Sequence, residues 1–467
     1  MTGARASEVP APHAAGRAPE QTRRGPDVPE AGRPGVGSSR TGHGRAQRPL
    51  RRADLYASGP SAGWGRGGGR GCGRLRRVTL WTVIAVVSFV SLLGWVWLLL
   101  AQGMFWRTDV RLPPRAEPAV WPSVAVIVPA RDEAEVLPVS LPSLLAQRYP
   151  GRAEVFLVDD HSSDGTGRLA EELGARRGGL PLTVTVPGSE PPAGWTGKLW
   201  AVRHGMTVAR QAYDAEYLLL TDADIAHEPD SLRELVAAAA GSQLDVVSQM
   251  ARLRVATGWE RLIVPAFVYF FAQLYPFRWV NSARGRTAAA AGGCVLLRRT
   301  AAERAGLPDS IRQAVIDDVS LARAVKRSGG RIWLGLADRV DSVRPYPRLA
   351  QLWRMVSRSA YAQLRHNPLL LLGTLLGLAL IYLVPPAATI IGAVAGRPLV
   401  CAAGLAAWLV MTGTYLPMLR YYRQPLWLAP TLPFTAALYA AMTADSAVQH
   451  YRGRGAAWKG RTYSRPS

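Results

Sequence analysis

Two carboxylates spaced D-x-D stand directly after an apolar run in the stretch YLLLTDADIAHEPD, which spans Tyr217–Asp230. Like charges that lie close together repel each other and raise each other's pKa, so Asp222 and Asp224 need a cation to share one place. A divalent ion held by hard oxygen ligands meets that need. The alternative is an acidic turn that caps a helix beginning near Pro229.

The chain between residues 122 and 364 alternates short apolar runs with segments of helical spacing. The runs lie at 124–129, 155–160, 182–186, 217–222 and 244–250, and the helical segments include Glu133–Gln147 and Gly165–Gly174. Apolar strands that alternate with helices predict an α/β domain whose mostly parallel sheet is covered on both faces. In such sheets, ligands bind beyond the carboxyl ends of the strands.

Acidic residues follow three of these runs, and parallel strands would bring them to one edge of the sheet. They are Asp132 and Glu133 after the first run, Asp159 and Asp160 after the second, and Asp222 and Asp224 after the fourth. Lys198, in the stretch GWTGKLWA, can enter the same cleft from the helix after the third run. Carboxylates that hold a hard divalent cation beside basic residues are typical of a diphosphate site. The sequence therefore predicts a metal that bridges a nucleotide diphosphate.

The motifs V-P-A-R-D-E, V-D-D-x-S-x-D-G-T, G-K-x-x-A, T-D-A-D, G-G and D-D-V-x-L follow one another along the chain. In this order they resemble the family 2 glycosyltransferases, which have a GT-A fold, a Rossmann-like α/β domain. The block W-T-G-K-L-W-A and the closing W-K-G-R-T-Y at 458–463 resemble the membrane-bound, hopene-associated subgroup. The resemblance implies inverting transfer from a nucleotide-sugar donor, a UDP-sugar, to a lipid acceptor such as a hopanoid or another polyisoprenoid.

The resemblance also implies a role for each matching residue. Asp132 or Glu133 and Asp159 contact the uridine, Lys198 lies by the nucleotide, Asp222 and Asp224 bind Mg²⁺ or Mn²⁺, Gly292 and Gly293 line the acceptor side, and Asp318 is the general base. In an inverting displacement such a carboxylate takes the proton of the acceptor hydroxyl. The pair Asp317-Asp318 can also cap the helix that begins near Val319, and one reading does not exclude the other.

The segment after the predicted base departs from the pattern of processive relatives, which carry Q-x-x-R-W. Gln351 and Arg354 are retained here, but Met355 replaces the tryptophan that lines the acceptor channel in those relatives. This replacement favours a single transfer to a lipid over polymerisation of a chain. Arg354 and Arg358, four residues apart on one helical face, can reach the leaving diphosphate.

The segment Val78–Ala101 contains 24 residues without a charge and predicts a transmembrane helix, long enough to cross a bilayer of about 30 Å. Further apolar blocks at Leu369–Ala395, Leu399–Leu419 and Leu426–Ala444 predict a C-terminal region, 369–444, with two or three spans. Pro385-Pro386 makes the first of these blocks kinked or re-entrant.

A weaker apolar run, Leu262–Val280, is rich in aromatic residues but is interrupted by Pro265 and Pro276. It predicts an amphipathic helix in the membrane interface rather than a crossing, with a buried core helix as the alternative.

The N-terminal tail, residues 1–77, has 15 arginines and five acidic residues and so carries +10 of the net charge of +23. Its composition predicts disorder, as an extension without a function or as an arm near anionic lipid. The C-terminal tail, 445–467, is also basic. Neither predicts nucleic-acid binding, because aromatic residues are not interleaved with the arginines. The three cysteines, Cys72, Cys294 and Cys401, are too far apart in sequence to organise a zinc site or a disulfide framework.

Three further interpretations compete for these residues. A phosphatase would use D-A-D-I as a nucleophile loop, but such loops follow a first strand and this one follows the fourth. A scaffold that keeps the fold without turnover is the second. The third is a histidine metal site, although His161, His204 and His227 lack paired ligand spacing; only His227, close after the D-x-D, remains a candidate ligand.

The charges near the spans give conflicting indications of orientation. Arg74, Arg76 and Arg77 precede the first span and predict a cytoplasmic N-terminus, which would place the catalytic domain outside. Nucleotide sugars are cytoplasmic, so the chemistry predicts the opposite, and the basic C-terminal tail agrees if the Pro385-Pro386 block is re-entrant. We follow the chemistry and predict a multi-pass protein of the cell (inner) membrane with a cytoplasmic catalytic domain.

Overall fold

Eight strands form the main sheet of the computed structural model, which describes residues 69–176, 178–453, 457–458 and 461–462. They are β1 (Val124–Ala130), β2 (Ala153–Asp159), β3 (Leu182–Thr185), β4 (Tyr217–Thr221), β5 (Ile225–His227), β6 (Val246–Arg252), β7 (Cys294–Arg298) and β8 (Ile332–Ser342). A separate antiparallel pair joins β9 (Ala457–Trp458) to β10 (Arg461–Thr462). Residues 1–68 of the predicted tail at 1–77 lie outside the described residues. Parts of the closing motif at 458–463 do so as well.

The order of strands in the sheet is β3-β2-β1-β4-β7-β6-β8-β5. The first four are parallel neighbours, so β1, β2 and β4 all end at the same edge, as predicted. β7 is antiparallel between β4 and β6, and β5 pairs antiparallel with β8. The five predicted apolar runs all form strands, whereas β5, β7 and β8 were not among them.

Strand β1 explains why the sheet is covered on both faces. All seven of its residues are buried. Because side chains alternate along a strand, Ala125 and Ile127 enter one hydrophobic core while Val124, Val126 and Val128 enter the other. A strand with no solvent face must be apolar at every position, which is the pattern VAVIV.

The helices and turns complete the description of the chain. They are α1 (Gly69–Leu100), α2 (Leu137–Leu145), α3 (Thr166–Arg176), α4 (Gly197–Ala212), α5 (Ser231–Gly241), α6 (Gly258–Leu274), α7 (Phe277–Val280), α8 (Arg299–Arg304), a 3₁₀ turn (Asp309–Ile311), α9 (Asp317–Arg327), α10 (Leu349–Gln363), α11 (Pro368–Leu378), a π-helical turn (Ala379–Leu383), α12 (Val384–Val394), α13 (Pro398–Tyr421), a second 3₁₀ turn (Leu426–Thr431) and α14 (Leu432–Tyr451). Helix α1 begins well before the predicted boundary at Val78, so residues 69–77 are helical rather than disordered.

Helix α6 occupies most of the weaker apolar run at 262–280. Ile263, Val264, Val268 and Tyr269 are completely buried, and they belong to the core that also contains residues of the sheet, α13 and α14. The buried core helix is therefore correct and the interfacial helix is wrong. The physical reason is that most apolar residues of α6 pack into this core, while the partly buried Phe267, Phe270 and Phe271 line a cleft within the protein.

Three helical stretches among the described residues are long and apolar enough to cross a membrane: Thr79–Leu100, Pro368–Val394 and Pro398–Tyr421. The last two correspond to the first two of the predicted C-terminal blocks. Helix α14, which contains most of the third, is not among them. Asp445, Gln449 and His450 lower the hydropathy of its second half, and the helix packs against α10 instead.

The π-helical turn at Ala379–Leu383 directly precedes Pro385-Pro386. A proline has no backbone N–H and its ring collides with the carbonyl group four residues earlier, so regular α-helical bonding fails here. Side chains of α1 satisfy the carbonyl groups that are released. Ser91 Oγ donates to Leu380 O at 2.7 Å, and Trp95 Nε1 donates to Ile381 O at 2.6 Å. The proline pair thus fixes where α1 docks.

We expect the substitution Trp95→Phe to destabilise the protein by about 1–3 kcal/mol, because it leaves a carbonyl group without a donor. Trp95 is fully buried, whereas Trp97 on the same helix is 53% exposed. Trp97→Phe is therefore the matched control and should leave the midpoint of thermal unfolding in detergent unchanged. Equal midpoints for the two variants would contradict this account of the junction.

Candidate active site

The loops after β1 and β2 are bound to each other by side chains that the sequence placed at the sheet edge. Asp132 Oδ1 accepts the backbone N–H of Ser163 at 2.8 Å. Thr166 Oγ1 accepts the N–H of Glu133 at 2.8 Å, and Asp159 Oδ1 accepts the N–H of Ser162 at 2.9 Å. Asp132 thus joins the two loops and Asp159 fixes the loop after β2, but neither residue is among those that line the cleft described below.

Lys198 joins carboxylates from two elements of the site. It lies in the first turn of α4, which Thr196 caps by accepting the N–H of Leu199 at 3.4 Å. Its Nζ lies 2.7 Å from Asp222 Oδ1 and 3.1 Å from Asp317 Oδ2. Burial disfavours the ammonium charge, but the two carboxylates outweigh that effect and raise the pKa of Lys198. Burial raises the pKa of Asp222, and Lys198 opposes that shift.

Arg344 is the second cation of the site, and sequence reasoning missed it. Its Nη2 lies 2.5 Å from Glu133 Oε2, and its Nε lies 3.1 Å from Asp224 Oδ2, which also accepts from Ser342 Oγ at 2.9 Å. Arg344 follows β8, so recognising IWLGLADRV as a strand would have placed a basic residue at the same edge. Each aspartate of the D-x-D therefore faces its own basic side chain.

Asp318 stands at the start of α9 with both carboxylate oxygens engaged by the backbone. Oδ2 accepts the N–H of Gly292 at 2.9 Å, and Oδ1 accepts the N–H of Val319 at 2.7 Å. The second contact lies inside the first turn of α9. The N-cap of that helix is Ile316 and makes no side-chain cap bond, so the expectation that Asp317-Asp318 caps this helix is wrong. Burial and the neighbouring Asp317 raise the pKa of Asp318 to about 6, although Lys198 and the two backbone N–H groups oppose the shift.

The two glycines next to Asp318 differ in the space around them. A Cβ at Gly292 would lie 3.4 Å from Asp318 Oδ2 and 3.5 Å from Lys198 Nζ, which is ordinary van der Waals contact. At Gly293 a Cβ would lie 3.0 Å from Ile225 Cδ1, which is tighter than ordinary contact. A side chain at Gly293 would therefore have to displace its neighbour.

One cleft with a volume of about 1890 Å³ connects these residues to the apolar helices. It exceeds the roughly 300–1,000 Å³ of a pocket for one small ligand, so two substrates can fit. The predicted site residues that line it are Glu133, Lys198, Asp222, Asp224, Gly292, Gly293, Asp318 and Arg354, together with Arg344 and Arg358. Thr374, Gly377, Leu378 and Ile381, from α11 and the π-helical turn, line the same cleft.

His227 is not a metal ligand, which corrects the remaining histidine hypothesis. Its Nε2 lies 3.0 Å from Thr221 Oγ1 and its Nδ1 lies 3.1 Å from Ser231 Oγ. Both ring nitrogens are therefore occupied by hydroxyl groups. Burial lowers the pKa of His227 to about 4, so the ring is neutral and serves to connect β5 with α5.

The carboxylates of the D-x-D suit a hard cation that takes part of its coordination from a substrate. No group of three or more His, Cys, Asp or Glu side chains positioned to hold a metal occurs within the part of the chain that the structure describes. Mg²⁺ is commonly bound by only one or two carboxylates, with water and substrate phosphates completing the shell. Asp222 and Asp224, which line the cleft together, fit that requirement.

The family model of "Glycosyltransferase like family 2" matches residues 122–362, just over half of the chain. The protein belongs to this family. The match covers β1 to β8 together with α2 to α9 and nearly all of α10, and it includes every carboxylate of the candidate site. It ends before α11, so the family assignment covers the α/β domain.

Several named proteins are similar to this glycosyltransferase over part of their length. The "Probable glycosyltransferase YdaM" of Bacillus subtilis (strain 168) is 31% identical over 158 residues, which are 32% of this chain and 36% of that protein. The "4,4'-diaponeurosporenoate glycosyltransferase" of Staphylococcus haemolyticus (strain JCSC1435) is 34% identical over 103 residues, 22% of this chain and 24% of that protein. The chain thus spans about a quarter to a third of these relatives.

Two further similarities concern a synthase and a solved structure. The "Hyaluronan synthase" of Streptococcus pyogenes is 33% identical over 125 residues, 27% of this chain and 28% of that protein. The "Mannosyltransferase PcManGT from Pyrobaculum calidifontis in complex with GDP-Man and Mn2+" is 21% identical, with a TM-score of 0.46, and the match covers 79% of this chain and 99% of that chain.

With Asp318 as the predicted general base, we expect kcat/KM for sugar transfer to fall about tenfold per pH unit as the pH drops below about 6, because a protonated carboxyl group can no longer accept a proton. A pH–rate profile measures this limb. In Asp317→Asn one of the causes that raise the pKa of Asp318 is removed, so the limb should move to lower pH. If the acidic limb of the pH–rate profile stays at the same pH in this variant, a group other than Asp318 controls that limb.

Proposed function

We propose that the protein is a membrane-bound inverting glycosyltransferase that moves a sugar from a nucleotide diphosphate donor, a UDP-sugar, to a hydroxyl group of a membrane lipid. The observation that carries this proposal is the single cleft of about 1890 Å³, which runs from Asp318 and the D-x-D to the apolar wall of α11. A water-soluble donor and an apolar acceptor can meet there.

The donor lies at the acidic end of the cleft in this proposal. Five carboxylates, those of Glu133, Asp222, Asp224, Asp317 and Asp318, face the pairing cations Lys198 and Arg344. A diphosphate would add further negative charge, so this end needs a divalent cation. Asp222 and Asp224 would hold Mg²⁺ or Mn²⁺, which when bound neutralises charge on the leaving diphosphate.

Other residues contact the rest of the donor. Asp132 or Glu133 and Asp159 are assigned to the uridine, and Lys198 to the nucleotide. Arg354 and Arg358, both exposed on α10 and lining the cleft, can donate to the diphosphate as it departs.

Asp318 is the general base of the proposed displacement. Its carboxylate takes the proton of the acceptor hydroxyl while that oxygen bonds to the anomeric carbon, and the bond from the same carbon to the diphosphate oxygen breaks. The nucleoside diphosphate leaves with the bonding electron pair, and the configuration at the anomeric carbon inverts. Held by two backbone N–H groups, the carboxylate keeps a fixed orientation toward the Gly292-Gly293 side, where the acceptor binds.

The acceptor enters along an apolar wall. Phe267, Phe270 and Phe271 of α6 line the cleft together with Leu378 and Ile381. A lipid that stays against this wall avoids a cost of about 0.8 kcal/mol for each CH₂ group that would otherwise enter water. The names of the relatives do not agree on one substrate, so they do not select an acceptor. A hopanoid or another polyisoprenoid is proposed from the resemblance of the W-T-G-K-L-W-A block.

The cell (inner) membrane is the proposed location, with several spans and a cytoplasmic catalytic domain. Three stretches of sufficient length and hydropathy support the spans, and the cytoplasmic supply of nucleotide sugars supports the orientation. A scaffold without turnover is less well supported, because Asp318 and both aspartates of the D-x-D line one cleft. A phosphatase is disfavoured because Asp222 is paired with Lys198 rather than free to attack.

Donor turnover should require a divalent metal. Excess EDTA should abolish donor hydrolysis by purified protein, and added Mg²⁺ or Mn²⁺ should restore it. We expect Asp224→Asn to reduce turnover by about 100-fold, because it removes a charged ligand from the reacting centre. Glu171→Gln, at an exposed position on α3, is the control and should retain full activity. Full turnover in EDTA would contradict the proposal.

The labelled product should be a lipid. Membranes incubated with radiolabelled UDP-glucose, UDP-N-acetylglucosamine or UDP-galactose should yield label that extracts into organic solvent, and the three donors together identify the sugar. Asp318→Asn should lower this transfer by roughly 100- to 10,000-fold while donor binding persists, because the base acts on the acceptor. Label found only in water-soluble product would refute the lipid acceptor.

A further inference from the structure

A polar cluster outside the acidic edge of the sheet lines the same cleft. We call it the α14 cluster and define it as Trp353, Asp445, Gln449 and His450. Trp353 Nε1 donates to Asp445 Oδ2 at 2.9 Å, and Gln449 Nε2 donates to Asp445 Oδ1 at 3.3 Å. The four side chains are partly buried, so each keeps a face toward the cleft.

The carboxylate of Asp445 can accept more hydrogen bonds than these two. An ionised carboxylate accepts about four hydrogen bonds, and it is costly in a helix packed among apolar segments unless those bonds are made. Helix α14 packs against α10, α11 and α6, and much of its buried surface is apolar or hydroxyl-bearing. A carboxylate at this position is therefore better explained by a ligand in the cleft than by packing.

The cluster shares one cleft with Asp318 and with residues of an apolar candidate span. Tyr275 lines the same cleft, and its hydroxyl accepts a hydrogen bond from Gln363 of α10. Tyr361 lies two residues before Gln363 on α10. The centroid of its ring lies 5.4 Å from the ring centroids of His450 and His366. His366 stands just before α11, the start of an apolar candidate span.

The chemistry of the α14 cluster matches a group with several hydroxyls. The carboxylate accepts from two neighbouring hydroxyls, the amide and the imidazole both donate and accept, and the indole offers a flat apolar face to C–H groups. A phosphate-bearing head is disfavoured, because Asp445 would repel it. A lipid with one hydroxyl would use that group at Asp318 and leave the cluster without a partner.

We propose that the α14 cluster binds a second polar part of the acceptor, a polyol or an already attached sugar, while one hydroxyl of the same head reaches Asp318. The acceptor is thus a lipid with a polyhydroxylated head rather than a lipid alcohol with a single hydroxyl. This inference rests on the proposed function and deepens it by naming the class of acceptor.

Three acceptors with the same lipid chain test this inference: a simple alcohol, a polyol ether and a glucoside. We expect the wild-type protein to transfer sugar to the polyol or the glucoside with a KM at least about tenfold below that for the alcohol. In Asp445→Asn that KM should rise about 10-fold, the loss expected for a hydrogen bond to a charged group. The KM for the alcohol and the rate of donor hydrolysis should not change.

Gln449→Ala, a second variant of the cluster, should raise the same KM, and Glu171→Gln on α3 is the matched control. The ratio of the polyol and glucoside KM values identifies which head is bound. Equal KM values for all three acceptors, or a parallel loss for all three in Asp445→Asn, would overturn the inference while the proposed function stands. Donor hydrolysis without transfer to any lipid would instead refute the proposed function itself.

Discussion

Two partly buried cations stabilise the acidic edge of the sheet. Five carboxylates converge at the ends of β1, β4 and α9, and such a group would push itself apart without compensation. Lys198 joins Asp222 to Asp317, and Arg344 joins Asp224 to Glu133, so each cation connects two elements of the fold. The edge is consequently assembled before any substrate arrives, with the charge of the D-x-D already oriented toward the cleft.

The position of Arg344 depends in turn on a helix far from it in sequence. Glu260, in the first turn of α6, is fully buried and accepts the backbone N–H of Tyr346 at 2.7 Å and those of Ala256 and Thr257 at 2.8 Å. This carboxylate holds the segment after β8 against α6. Because α6 shares one hydrophobic core with the sheet, α13 and α14, the catalytic edge and the apolar helices form one packed structure.

Because of this shared packing, the cleft has one charged end and one apolar end. One end is charged and suited to a nucleotide diphosphate, and the other is apolar where α11 and the π-helical turn form its wall. The π-helical turn before Pro385-Pro386 accepts hydrogen bonds from Ser91 and Trp95 of α1, so the first apolar helix supports the same wall. The polar residues of the α14 cluster line the same cleft as both of these ends.

The sequence alone determined the local and periodic features. Apolar runs gave β1 to β4 and β6, the parallel order put Asp132, Asp159 and Asp222 at one edge, and motif order indicated the family that the match over 122–362 confirmed. Only the tertiary structure decided which residues from distant segments contact each other. Arg344 reaches Glu133 across 211 positions, α6 is buried rather than interfacial, and α14 brings Asp445 to Trp353. Periodicity records which face of an element is buried, whereas contacts between distant segments depend on how the elements pack.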